Sequence, residues 1–393
     1  MGWRALLFSV VLLGGCANTA SSANRAVSAS SVLASAKAVP ASQVCTAHPV
    51  WLAFVRSFVS ADGRVIDTST AANISTSEGQ SYALFFALVN RDQARFDQLL
   101  RWTEDNLAAG DMRARLPAWS WGKADDGQWR VLDRNAASDS DVWIAYSLLA
   151  AGELWSNAQY RELGLALAAR IIELESVELP GYGRVLLPGP TGFHPTEDSW
   201  RLNPSYWPIS VLRGLALWTE NSAWQDIVHS SEKLLRASAP RAVAPDWFVL
   251  NSATKAVSWP DQDSDGAYNA IRVYLWLGMM PFDDPLSASL RSHFAPWATR
   301  ALAQGFVPER AQVQSAKVAS SNQPIGFAQA ALPYLQAQAE ITDKAGLAAI
   351  SAQAAQPREG YYTEVLTLFS TLWRDQRFQF KRDGRVHISA ECL

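Results

Sequence analysis

Ser77-Glu78-Gly79-Gln80-Ser81-Tyr82-Ala83-Leu84-Phe85-Phe86-Ala87-Leu88-Val89 reads as a helix that is apolar on nearly every side, and Asn90-Arg91-Asp92 alone separates it from a second helical run over 92–108. So short a link makes the two helices turn back on each other as a hairpin. A helix apolar all round has to be covered all round, so it belongs inside a larger assembly. Its polar residues are gathered at its start.

The pattern recurs along the chain. Apolar periodicity places helices near 47–60, 79–90, 92–108, 139–155, 157–173 and 204–219, then near 222–237, 266–279, 286–303, 324–338, 340–354 and 358–375. Tight links such as Trp155-Ser156-Asn157 again make antiparallel neighbours. Six hairpins with no shared short repeat can stack as an open solenoid or close into a double ring. Closure is favoured because the more apolar helices begin with polar clusters: Ser77-Glu78, Ser138-Asp139, Asn203-Pro204-Ser205-Tyr206, Asp265-Gly266 and Pro357-Arg358-Glu359. In a ring of parallel inner helices these starts all open on one face, and the acidic ones suggest a carboxylate-lined cleft. Residues 119–132, 183–187 and 247–259 have strand or turn character, and 377–389, with Asp383-Gly384 in the middle, reads as a closing β-hairpin.

Of the 393 residues 49% are hydrophobic, enough for a substantial core in one large or two ordinary domains. A net charge of -3 with 18% charged residues leaves no basic patch for nucleic acid. The five His have no metal-ligand spacing, and there is neither a glycine-rich phosphate loop nor a Gly-x-Ser-x-Gly elbow, so no cofactor or metal is expected. Seventeen Trp, many beside Gly, Pro or Asp, suit stacking on sugar rings, although a large helical core also contains Trp.

Arg4 followed by the apolar run from Ala5 to Leu13 reads as an export signal, too short to span a bilayer. Leu13-Gly14-Gly15-Cys16 resembles a bacterial lipobox, in which Cys16 would carry the lipid; ordinary signal cleavage further on is the alternative. The expected organisation is a signal at 1–16, an Ala/Ser-rich tether at 17–44 and a catalytic domain at 45–393, exported to the periplasm and anchored to the outer membrane if Cys16 is lipidated. Cys45 and Cys392 stand at the two edges of the folded part, in a chain that export sends to an oxidising compartment, and are expected to pair.

Two segments carry a family resemblance. Thr76-Ser77-Glu78-Gly79-Gln80-Ser81-Tyr82 and Ala137-Ser138-Asp139-Ser140-Asp141, the latter running on to Ala150-Ala151-Gly152-Glu153-Leu154-Trp155, resemble the two signatures of glycoside hydrolase family 8. The first is similar to the branch that accompanies bacterial cellulose synthesis. The resemblance covers 45–392 and implies an all-α fold, an (α/α)6 barrel of six helical hairpins with short β-hairpins at the groove face. It also implies inverting, cofactor-free endo-hydrolysis of a β-1,4-glucan (cellulose) chain, beside the cellulose synthase and export machinery. Members of that branch place a Cys near each end; other members of the family cut xylan or chitosan.

Glu78 is then the candidate acid. From the residues alone it can equally be a helix-start carboxylate stabilised by the helix dipole, and the two readings differ in sign: a dipole lowers a carboxyl pKa, whereas an acid working near neutrality needs a raised one. Asp139 matches the family carboxylate that holds the distorted sugar and repels a charge on Glu78; Ser138 and Asp139 are also N-cap residues. Ser140 replaces the usual Ala or Gly. The segment Gly266-Ala267-Tyr268-Asn269-Ala270-Ile271-Arg272-Val273-Tyr274-Leu275-Trp276 resembles the third active-site segment, with Asn269 where many members carry the Asp base. An amide has no proton affinity to use near neutral pH, and general-base help contributes about 10² to 10⁴ in rate. Asp261, Asp263 and Asp265 are the nearby substitutes, Asp265 the best placed. Their spacing opens a calcium-loop pattern, yet Arg272 stands where its bidentate Glu belongs. The resemblance further assigns Trp119, Trp121, Trp200, Tyr206, Tyr268, Arg272 and Tyr361 to the sugar and its water. Loss of the base also admits a glucan-binding assembly factor with vestigial activity, and the hairpins alone admit a protein scaffold.

Overall fold

Twelve helices among the described residues sort into two rings by how much of their surface is covered. The computed structural model describes residues 47–70, 72–260, 264–338, 343–358 and 360–389, all within one unit that runs from Val44 to Leu393. In chain order the helices are α1 (Pro49–Phe58), α2 (Ser77–Val89), α3 (Gln93–Leu107), α4 (Ser138–Leu154), α5 (Ala158–Leu174) and α6 (Ile209–Thr219). They continue with α7 (Ser222–Ser238), α8 (Ala270–Met279), α9 (Pro285–Gln304), α10 (Ile325–Ala337), α11 (Lys344–Ala354) and α12 (Tyr361–Arg374). The even-numbered helices are buried along most of their length, every residue of α8 among them, whereas the odd-numbered ones bury one stripe.

Packing contacts close the inner ring: α2 lies on α4, α4 on α6, α8 on α10, α10 on α12, and α12 on α2, while the 3₁₀ turn Pro204–Tyr206 ahead of α6 packs on α8. The double ring, rather than the solenoid, is the observed architecture. Arg91 (φ 55°) and Ser156 (φ 51°) take the left-handed conformation in the two short links, so that Asp92 and Asn157 can cap α3 and α5 at once. The ring axis is filled, not open. Phe85 lies 4.8 Å from Trp143, Trp143 5.4 Å from Trp276, and Trp276 5.2 Å from Phe369, ring centre to ring centre. Such pairs add roughly 0.5 to 1.5 kcal/mol each beyond their buried area.

Short antiparallel strands decorate the ring: β1 (Ser75–Thr76), β2 (Ser120–Lys123) and β3 (Trp129–Asp133) form one sheet, β4 (Ser176–Leu179) and β5 (Gly183–Leu186) a second. A third holds β6 (Ser199–Leu202), β7 (Phe248–Asn251) and β8 (Val257–Ser258); a fourth holds β9 (Asp265–Gly266), β10 (Arg310–Gln312) and β11 (Val318–Ser320). The closing hairpin is β12 (Phe378–Phe380) with β13 (Val386–Ile388), and Phe378 and Phe380 seal the core against Phe85.

Among the expected helices that start later than their periodicity indicates, two have a clear local cause. The run at 204–219 breaks at Pro208, which has no N–H to donate and disfavours helical backbone at Trp207, so α6 begins at Ile209. The run at 266–279 begins only at Ala270, because Gly266 is a strand residue paired with Ala311 and pressed so close to Ala244 that a Cβ would sit 2.0 Å from its carbonyl oxygen. Cys16, Cys45, Cys392, Asp261 and Asp263, with the signal and the tether, lie outside the described residues. No helix among those described is long and apolar enough to cross a membrane.

Gly384 fastens the closing hairpin to the ring. Its φ is 88°, its carbonyl accepts the Tyr146 hydroxyl at 2.6 Å, and a Cβ there would stand 2.1 Å from the Gly214 nitrogen. Gly384→Ala is expected to destabilise the fold by about 2 to 4 kcal/mol, combining left-handed strain with backbone overlap. Denaturant unfolding checks it; a loss under about 0.5 kcal/mol, the range of ordinary surface substitutions, would mean the hairpin does not dock this way.

Candidate active site

The starts of α2, α4 and α8 and the turn before α6 converge on a cleft of about 190 Å³ lined by Thr76, Ser77, Glu78, Trp119, Ala137, Asp139, Ser140, Tyr206, Asn269 and Arg272. A larger hollow, about 470 Å³, lies on the outer ring between α3 and α5, away from every helix start that carries an acid. Chemistry, not size, therefore locates the site.

Thr76, not Glu78, caps α2: its hydroxyl accepts the Gly79 N–H at 3.1 Å. The Trp119 carbonyl accepts the Ser77 N–H at 3.0 Å, so the helix start is held from both sides and Glu78 is released into the cleft. Its side chain keeps 25% of its surface open. Burial of the rest pushes the Glu78 carboxyl up to about 7, Arg272 pulls it back, and the charge and hydrogen bond of Asp139 push it up again. The helix-dipole reading required the opposite sign.

Arg272 ties the cleft together. Its Nη1 donates to Glu78 Oε2, to Asp139 Oδ2 at 3.0 Å and to Tyr82 Oη at 2.9 Å; its Nη2 donates to Asn269 Oδ1 at 2.6 Å. One buried guanidinium thus fixes residues of three inner helices. Asp139 Oδ1 accepts the Ser140 N–H at 2.8 Å and its hydroxyl at 3.2 Å. Glu78 and Asp139 share Arg272 Nη1 and lie within hydrogen-bonding reach of each other, closer than the roughly 6.5 to 9.5 Å that leaves room for an attacking water or the roughly 5 to 5.5 Å that brackets a covalent intermediate. Asp139 therefore stands beside Glu78 and does not face it across a gap wide enough for a glycosidic bond and a water.

Asn269 begins α8 but does not cap it. Asp246 does: its Oδ1 accepts the N–H groups of Ala267, Asn269 and Ala270 at 2.8, 3.0 and 2.8 Å. Freed from capping, the Asn269 side chain turns to Arg272 and the cleft. Burial raises the Asp246 carboxyl, against the three N–H bonds. Tyr206 stands over Arg272, 5.8 Å from guanidinium to ring, and burial pushes its phenol far up, so it stays protonated and able to donate to water. Beyond it Trp247 and the parallel ring of Phe193 continue an aromatic wall.

Not every expected residue reaches the cleft. Asp265 does not line it: it sits in β9, with Arg310 3.8 Å from its carboxylate. Trp200 is buried, its ring stacked on His194 and its indole N–H donated to Ser252. Tyr361 belongs to the core among Phe54 and Phe58, with its hydroxyl against Gly79. Its neighbour Tyr362 turns to the active face and donates to the Tyr268 carbonyl at 2.6 Å. Trp119 (38% exposed) and Tyr268 (45%) present open rings; Trp121 packs between Trp102 and Trp129 with Arg64 over it. Tyr82 was within reach of sequence reasoning, since it follows Glu78 by four residues and shares its helix face. Asp246 gives no local signal, because it caps a helix that begins more than twenty residues later.

The family model for glycosyl hydrolases family 8 matches residues 24–376. The endoglucanase of Escherichia coli (strain K12) is 40% identical over 353 residues, 88% of this chain and 92% of that protein. That of Xanthomonas axonopodis pv. citri (strain 306) is 43% identical over 355 residues, 89% and 91% of the respective chains. The crystal structure of endo-1,4-D-glucanase from Vibrio fischeri ES114 superposes with a TM-score of 0.80 at 41% identity, covering 86% of this chain and 98% of that one.

Proposed function

The chain belongs to glycosyl hydrolases family 8, and from that premise we propose that it is an endo-β-1,4-glucanase cutting cellulose chains with inversion, with Glu78 as the acid. The observation that carries this is a carboxyl held protonated near neutrality by burial and by Asp139, in a cleft floored by helix starts and edged by open aromatic rings. A neutral glucan stacks its apolar faces on Trp119 and Tyr268 and gives its hydroxyls to the polar floor. Asp139 and Arg272 hold the sugar at the bond to be cut. Glu78 passes its proton to the glycosidic oxygen as the bond to the anomeric carbon breaks, and water near Asn269, Tyr206 and Arg272 attacks that carbon from the other side, its surplus proton leaving to solvent, from which Glu78 is reprotonated.

The test is reducing-end release from a soluble cellulose derivative across pH. The acid form of Glu78 is present below about 7 and lost above it, so kcat should fall on the alkaline side with a midpoint near that value. A rate that stays flat to well above neutrality would remove Glu78 from the role. That similar proteins are endoglucanases favours this reading over a glucan-binding factor.

We further propose an exported, periplasmic protein anchored to the outer membrane through Cys16, as the N-terminal sequence supports, and, on the resemblance to the branch that accompanies bacterial cellulose synthesis, one that trims cellulose beside the synthase and export machinery. Cys16→Ser should move the protein from the membrane to the soluble fraction; an unchanged distribution would rule out the anchor.

A further inference from the structure

Behind the cleft lie two carboxyls that the mechanism does not use. Asp141, two residues beyond Asp139 on α4, and Glu175, the residue that ends α5, are both fully buried. No N–H or O–H donor among the described residues reaches any of their four oxygens. They lie within hydrogen-bonding reach of each other, and Asp139 and the Tyr206 phenol are the titratable groups that face them. The Nη donors of Arg272 go to Glu78, Asp139, Tyr82 and Asn269, and among the described residues no guanidinium, ammonium or imidazole donates to the pair.

Two carboxylates so placed cannot both be ionised; a proton between them is the one donor available. The backbone frames the pair: the Glu175 carbonyl accepts the Leu187 N–H at 2.8 Å, the Leu187 carbonyl accepts the Ser138 hydroxyl at 2.6 Å, and the Pro188 carbonyl accepts the Ser138 N–H at 3.0 Å. The start of α4 is thus fastened to the end of α5 twice, through these backbone bonds and through the two acids. An apolar pair of similar volume would be as stable or more so, but would not fix direction.

We propose that Asp141 and Glu175 share a proton and act as positioning residues for Asp139, aiming the first turn of α4 into the cleft without touching the sugar. This rests on the hydrolase reading of the cleft. Burial raises both acids well above the ordinary carboxyl range, with Asp139 adding to the effect. A folded value above the unfolded one gives stability that is present at low pH and lost as pH climbs through the folded value.

Three variants test it, assayed on carboxymethylcellulose and by thermal unfolding across pH. Glu175→Ala strands Asp141, and kcat should fall on the order of 10²-fold with KM little changed, the effect of a misaimed active-site group. Glu175→Gln, whose amide can donate to Asp141 where the proton did, should recover most of that loss. The double variant Asp141→Asn with Glu175→Gln has nothing to titrate, so its melting temperature should decline less than the wild type's as pH is raised into the alkaline range. Wild-type kcat in a folded Glu175→Ala, a folded Glu175→Gln as slow as the Ala variant, or an unchanged pH slope in the double variant would each overturn the proposal. If Glu175→Ala does not fold, the two amide variants decide. If the wild-type protein releases no reducing ends, the hydrolase reading fails instead, and the pH slope still decides whether the proton is shared.

Discussion

Glu78→Gln is expected to lower kcat on a soluble cellulose derivative by about 10³-fold, within the range that general acid–base catalysis contributes, while the KM for cello-oligosaccharides stays close to wild type. The amide keeps the shape of the carboxyl and most of its contacts: its oxygen still accepts from Arg272 Nη1 and its N–H₂ donates to Asp139, as the protonated acid does now. What it lacks is a proton to give to the departing oxygen. On the proposed reading binding depends on Trp119, Tyr268 and the polar floor, which such a swap leaves in place. The fold should hold as well, since Gln removes a group whose charged form is disfavoured there. Equal rates for the two proteins, both negligible, would leave a glucan-binding factor as the surviving function. Equal rates that are both high would transfer the acid's role to another residue.

Helix count and ring closure were legible because each inner helix is apolar on every side, and a helix of that kind has no other way to be covered. Glu78 and Asp139 were singled out by the resemblance of their segments to the family signatures; the residues alone left Glu78 open between an acid and a dipole-stabilised helix-start carboxylate. The detail around them was not. Tyr361 and Tyr362 are chemically the same pair of letters, and the turn at Gly360 (φ 85°) decides which ring enters the core. Asp265 looked close to Asn269 along the chain, but the β9–β10 pairing turns that stretch into a strand and leaves its carboxylate facing Arg310. Asp246 and Glu175 act across distances in sequence that no local pattern spans; each is an acid whose role exists only after the helices have packed. Helix starts were misplaced where proline chemistry broke the periodicity, at Pro208, and where strand pairing and a close backbone contact overrode it, at Gly266.

Asn269→Asp bears on the step the cleft leaves weakest, and its expected effect is a rise in kcat of about 10²-fold. The carboxyls that line the cleft are those of Glu78 and Asp139, the first the proposed acid and the second within hydrogen-bonding reach of it. Asp246 stands one layer back, with Oδ1 already taken by three backbone N–H groups, and Asp265 faces away. On the proposed reading, among the described residues the water would meet the Asn269 amide, the Tyr206 phenol and Arg272, which can orient it and take no proton from it. An Asp at 269 would keep one oxygen on Arg272 Nη2 and offer the other to water. The guanidinium and the N-terminal end of α8 would hold it ionised at neutral pH, the state a base requires. The acid limb of the rate profile would then report the new carboxylate, while the alkaline limb near 7 stays with Glu78. Turnover unchanged by the substitution would mean that a proton acceptor already serves. Asp261 and Asp263 would be its candidates, and Asp261→Asn and Asp263→Asn, made singly, would find it as the variant whose kcat collapses.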